Sequence, residues 1–148
     1  RHTRLLRVSG LGDVYKRQND RPPILQDLGN GSWHYNYNIT EVEVTPEPMA
    51  EAEGDQVPAA RKAYDYDTVE VWGRPDYDKC VKAVLRSRRD ETEEFSLINK
   101  YNAFVLGLST DKADKTEYEN YLKEVLAVKA MVRADLAAAG IDVGAAGI

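Results

Sequence analysis

The chain has 148 residues, one domain's worth at roughly 100–200 residues per domain, and is 43% hydrophobic and 30% charged. No apolar run approaches the ~18 residues that span a bilayer, so a membrane-spanning helix is excluded and a soluble protein is expected. A formal net charge of −5 disfavours nucleic-acid binding by counterion release, and the single Cys80 rules out an internal disulfide and suits a reducing compartment.

Residues 1–18 are basic, but Arg7 interrupts Leu5, Leu6 and Val8 before a signal-type apolar region develops. The run Asp13-Val14-Tyr15-Lys16-Arg17-Gln18 resembles the in-frame translation (GAT GTG TAT AAG AGA CAG) of a transposase mosaic-end adapter used in sequencing libraries. Residues 8–12 look like further adapter-derived sequence. The resemblance implies a metagenomic reading frame without its own start codon, in which 1–18 are a disordered, non-native arm. That arm holds five basic residues (Arg1, Arg4, Arg7, Lys16, Arg17) and one acidic (Asp13). Taking these from totals of 20 and 25 leaves 15 basic and 24 acidic residues, a balance of −9 for 19–148.

From Asn19 the pattern predicts a single α+β domain over 19–140, with a small antiparallel three-stranded sheet followed by three helices. The first strand spans about 24–28. Asn30-Gly31 follows, a hairpin signal because both residues tolerate positive φ. A second strand over 33–44 places Trp33, Tyr35, Tyr37 and Ile39 on one face. Val42 and Val44 then change parity, which requires a bulge or bend near Thr40–Glu41. Residues 45–62 are proline-rich and acidic and read as a mobile loop. A third strand over 64–72 carries Tyr64, Tyr66, Val69, Val71 and Trp72, and is expected to pair antiparallel with the second.

Pro75 and Asp76 end the sheet and open a helix over 77–89, with Tyr77, Cys80, Val81, Val84 and Leu85 on one face. Asp90-Glu91-Thr92-Glu93 resembles a capping box and starts a second helix over 91–108. Its apolar residues (Phe95, Leu97, Ile98, Tyr101, Phe104, Val105, Leu108) form a face wide enough for more than one neighbour. Thr116-Glu117-Tyr118-Glu119 is a second box, opening a helix over 117–139 that Gly140 closes. The tail 141–148 is expected to fray.

Chemistry is sparse. Outside the first eighteen residues His34 is the one histidine, on the polar side of a strand, and Cys80 sits on an apolar helix face, where it behaves as a small hydrophobe. Zinc needs several Cys or His ligands, and neither Asp65-x-Asp67 nor Asp111-x-x-Asp114 continues as a calcium loop. There is no Gly-x-Gly-x-x-Gly and no phosphate loop. The expectation is therefore no enzyme, no cofactor and no metal, with no nucleic-acid or membrane partner. The aromatic set Trp33, Tyr35, Tyr37, Tyr64, Tyr66 and Trp72 is the candidate interaction surface, with packing under the helices as the other use of the same rings.

Residues 67–86, with Val69-Glu70-Val71-Trp72-Gly73-Arg74-Pro75-Asp76-Tyr77 at their centre and a Tyr-rich final helix beyond, resemble short uncharacterised proteins of prophage and phage tail gene clusters in gut anaerobes. The resemblance implies a tail accessory component or assembly factor, in the bacterial cytoplasm or on the virion. The residues themselves are consistent with an interaction protein that self-associates or holds a protein partner. The alternative is a small glycan- or peptide-binding module that uses the aromatic sheet face.

Overall fold

A computed structural model of the chain describes residues 4–8, 14–45 and 60–143. The fold is α+β, with one antiparallel sheet followed by three helices. The sheet has five strands: β1 (Arg4–Val8), β2 (Val14–Gln18), β3 (Leu25–Asp27), β4 (Ser32–Val44) and β5 (Arg61–Trp72), in the order β1-β2-β5-β4-β3. The three expected strands are present, and two more come from the segment expected to be disordered. That expectation needs correction. Val14, Tyr15, Lys16, Arg17 and Gln18 pair in register with Thr68 back to Tyr64, and all five are half-buried. The physical reason is local: β5 has a free edge, and Tyr15 and Arg17 both reach the Asp65 carboxylate there.

The long β4–β5 pair is the base of the molecule, from Ser32 opposite Trp72 to Val44 opposite Arg61. The parity change foreseen in β4 is real but lies two residues earlier, between Tyr37 and Thr40. Asn38 takes φ 52 there, a left-handed conformation that asparagine tolerates, and its amide donates to Asp67 at 3.0 Å. One extra residue in β4 brings Thr40 and Val42 onto the face that Tyr37 occupies, opposite Asp65 and Ala63. The greater part of the expected acidic loop, 46–59, lies outside the described residues, as does the tail from 144. Ile141 and Val143, expected to fray, pack against the core instead.

Helix α1 (Tyr77–Arg88) begins where expected, with Asp76 accepting from the Lys79 amide. Helix α2 (Glu91–Val105) is capped by Asp90 and ends three residues short of the expected limit. Gly107 at φ 76 stops it: the Leu108 amide reaches back to Ala103 at 2.9 Å and that of Gly107 to Phe104 at 3.1 Å. This paired closure satisfies carbonyls the helix leaves open. Helix α3 (Lys112–Ala138) starts five residues before the expected 117, because Asp111 caps it through the Ala113 amide. Gly140 ends it with the same paired closure, Ile141 to Leu136 and Gly140 to Ala137.

The core lies between one sheet face and two helices. Tyr35, Tyr37, Val69 and Val71 meet Tyr77, Cys80, Val81 and Val84 of α1 and Val128, Val132 and Leu136 of α3. Full burial of each aliphatic side chain contributes about 1.5–3 kcal/mol. The other sheet face is partly covered too. The connection from β2 to β3 has to pass β5 and β4, and Asn36 on that face donates to the Pro23 carbonyl at 2.8 Å. Asn36 and Thr68, which stand opposite one another, are consequently buried rather than solvated.

Candidate functional site

Six aromatic residues were candidates for one interaction surface, and the sheet divides them. Register places Trp33 opposite Val71 and Tyr35 opposite Val69, so the rings of β4 share the helix-covered face with the valines of β5. Tyr64, Tyr66 and Trp72 are of the other parity and point to the opposite face. Tyr35 and Tyr37 stack at 5.1 Å and are enclosed in the core. Tyr66 is buried and donates to Gln18, Tyr64 is half-buried, and Trp72 stands 65% exposed at the end of β5. The six therefore form no common platform. Three of them, Tyr35, Tyr37 and Tyr66, are buried, and Trp33, Tyr64 and Trp72 keep part of their surface accessible without facing one another.

Trp33, half-buried, lines an open groove of about 490 Å³ with Ile24, Leu25, Arg74, Pro75 and Ile141. The groove lies between the start of β3, the turn into α1 and the C-terminus of α3. Its walls are mostly apolar, with the Arg74 side chain exposed at its margin.

The titratable groups of the interior are arranged for structure. Tyr35 donates to the Asp135 carboxylate at 2.5 Å, tying the sheet to α3, and burial followed by this bond raises the phenol far above its ordinary pKa. Cys80 is fully enclosed, and burial, reinforced by the charge of Asp76, pushes its thiol up to about 12. A thiol so held stays protonated and unreactive at neutral pH. His34 is half-buried on the far sheet face. Burial and the Lys16 ammonium lower its pKa, with Glu70 opposing them. Among the described residues no group of three or more His, Cys, Asp or Glu could hold a metal ion, and no helix is long and apolar enough to cross a membrane.

The surface that stands out is helical. α2 packs against α3; its Leu97, Ile98, Tyr101 and Phe104 are half-buried, and none of its residues is fully buried. Tyr101 stacks on Tyr118 at 4.3 Å. Polar clamps secure the base: Glu94 accepts from Tyr121 at 2.6 Å and from Arg86 at 3.2 Å, while Glu124 takes Arg89 at 3.0 Å. Arg89 also lies over the Tyr121 ring at 5.3 Å. The apolar face of α2 was expected to serve more than one neighbour; α3 covers part of it. Of the eight large apolar side chains exposed among the described residues, six belong to this hairpin: Phe95, Val105, Leu106, Leu108, Leu122 and Leu126. Leu106 and Leu108, at 73% and 80%, sit together at the tip. No motif marks this surface; the excess width of the α2 stripe was its one signal in the sequence.

Compared with protein-family models, with curated proteins and with solved structures, the chain matches none of them.

Proposed function

We propose that this chain is a non-enzymatic interaction or assembly protein that docks through the apolar side of the α2–α3 hairpin. The observation that carries the reading is a helix with a wide apolar face of which no residue is fully buried, in a hairpin that carries six of the eight exposed large apolar side chains among the described residues. Apolar side chains clustered in this way on a folded domain mark contact surfaces more often than scattered single residues do. An apolar helix pair is completed most simply by another helix pair, and a second copy related by a two-fold axis supplies one. The protonated Cys80 and the placement of His34 beside Lys16 and Glu70 support a role without catalysis. The resemblance of 67–86 to phage tail-cluster proteins favours an accessory or assembly role in a tail, with the chain acting in the bacterial cytoplasm or on the virion.

Sedimentation of the full chain over a range of concentrations tests this, together with the double variant Leu106→Lys, Leu108→Lys. Concentration-dependent association that the variant abolishes, with unchanged circular dichroism, is the expected result. A strict monomer, together with identical pull-downs from the native host for parent and variant, would remove the reading.

A second reading, a small peptide- or glycan-binding module, is favoured by one observation: the accessible Trp33 in its groove beside Arg74. Here the ligand stacks on Trp33 instead of using a whole aromatic face. Ligand-dependent quenching of tryptophan fluorescence that is lost in Trp33→Phe and kept in Trp72→Phe would favour it over hairpin docking.

A further inference from the structure

Two contacts mark the rows by which α2 and α3 face each other: Tyr101 stacks on Tyr118, and Glu94 accepts from Tyr121. Falling numbers on α2 match rising ones on α3, so the pair is antiparallel. A helix turns by about 100° per residue, and one step toward each C-terminus turns both rows to the same side of such a pair. That side holds Phe95, Ile98 and Val105 of α2 with Leu122 and Leu126 of α3; all but half-buried Ile98 are exposed. One step the other way gives Glu93 and Lys100 of α2 with Glu117 and Glu124 of α3, and there Glu124 takes Arg88 and Arg89 of α1. The hairpin is thus apolar on one side and polar on the other, and the α1 arginines reach the polar one.

Levels along the hairpin decide what can cover the apolar side. With Tyr101 level with Tyr118, Phe95 is level with residue 124, between Leu122 and Leu126. A two-fold axis parallel to the helices keeps every level and seats Phe95 of each copy between Leu122 and Leu126 of the other. By the same count Glu91 is level with residue 128 and meets Lys129 of the other copy. The charged groups on this side, Glu91, Lys115, Glu119 and Lys129, cancel, whereas the chain as a whole carries −5 and repels its like. Resting on the hairpin-docking reading, we infer that two copies pair through this side about such an axis. The product is an antiparallel four-helix bundle with both Leu106–Leu108 tips at one end and two Glu91–Lys129 pairs at the other. An axis across the helices at the level of the leucines would instead stack Phe95 on Phe95 and leave Asn102 and Val105 beyond the other copy's α2.

Single cysteines in the full chain test this, because the enclosed Cys80 does not compete. Phe95→Cys mixed with Leu126→Cys should give a disulfide-linked dimer under mild oxidation, and either variant alone should give much less. One of the two symmetric seats stays native in the mixed pair, so association survives the substitutions. Lys129→Glu should weaken association about tenfold in sedimentation, since each ion pair occurs twice, and adding Glu91→Lys should restore it. Ready linkage of Phe95→Cys alone, or a charge swap that restores nothing, would overturn this arrangement while leaving docking through the hairpin intact. A strict monomer at every concentration removes both.

Discussion

The two halves of α3 have the same helical backbone and opposite occupations. Its C-terminal half sends Val128, Val132 and Leu136 into the sheet, each 2% exposed or less. Toward its N-terminus it meets α2 and, through Glu124 and Tyr121, the arginines that end α1; it buries Tyr121 alone there and leaves Leu122 and Leu126 exposed. Hydrophobic burial holds the first half; stacked tyrosines and carboxylate clamps hold the second. A helix can therefore belong to a core at one end and carry a docking surface at the other. The transition falls between Tyr121 and Val128, where the sheet stops facing it.

The sharpest way to break the contrast is at the core end. Val84→Asp puts a carboxylate into a site with 0% exposure, and a loss of about 4 kcal/mol or more in chemical denaturation is expected. Leu136→Ala should cost about 2–5 kcal/mol by the same measurement, since neighbours on sheet and helix cannot both close the gap. Its counterpart at the tip, Leu106→Ala, should change stability by less than about 0.5 kcal/mol. Equal losses at Leu136 and Leu106 would show that the hairpin tip is core after all.

Two smaller effects sharpen the electrostatic side. The hydrogen bond from Tyr121, joined by Arg86, holds the Glu94 carboxyl below its ordinary value. A depressed folded pKa contributes stability above the unfolded value of about 4.3, and that contribution disappears as pH falls through the folded pKa. Glu94→Gln should therefore flatten the acid limb of stability below about pH 4.3 while slightly lowering stability at pH 7. Last, Cys80 should resist a thiol reagent at pH 8 in the native state and react only as fast as the chain opens; rapid labelling would contradict its enclosure.

Much of the architecture was legible because local chemistry and global packing agree. Asp76 and Asp90 announce their helices, the parity change in β4 requires a bulge, and Gly140 closes α3. The start of α3 was misread for an instructive reason. Thr116 is three residues ahead of an acid, as a capping box demands, but its hydroxyl donates back to the Lys112 carbonyl at 3.4 Å, a mid-helix use of the same side chain. The end of α2 needed Gly107 weighed against Leu108, and periodicity alone favours the leucine.

β2 escaped because a resemblance at the level of nucleotides says nothing about whether the translated residues can pair. Val14 and Tyr15 suit a strand, and Asp65 supplies a partner that lies fifty residues on from Tyr15. The aromatic set was visible as composition but not as geometry. The even-numbered rings of β5 look like continuations of the β4 row until cross-strand pairing with Val69 and Val71 assigns them to the other side.

The bond from Tyr35 to Asp135 spans a hundred residues of sequence. Synthesis on a ribosome proceeds from the N-terminus, so the β4–β5 ribbon emerges long before the segment that roofs it. Until Leu136 has left the exit tunnel, two stacked tyrosines and a pair of valines have only α1 to cover them on that side. The nascent chain thus carries part of its core face uncovered while residues 89–136 are made, and completion of the core waits on the C-terminal half of α3. A premature stop before Val128 would release a product that retains its strands and α1 and lacks the α3 side of their cover.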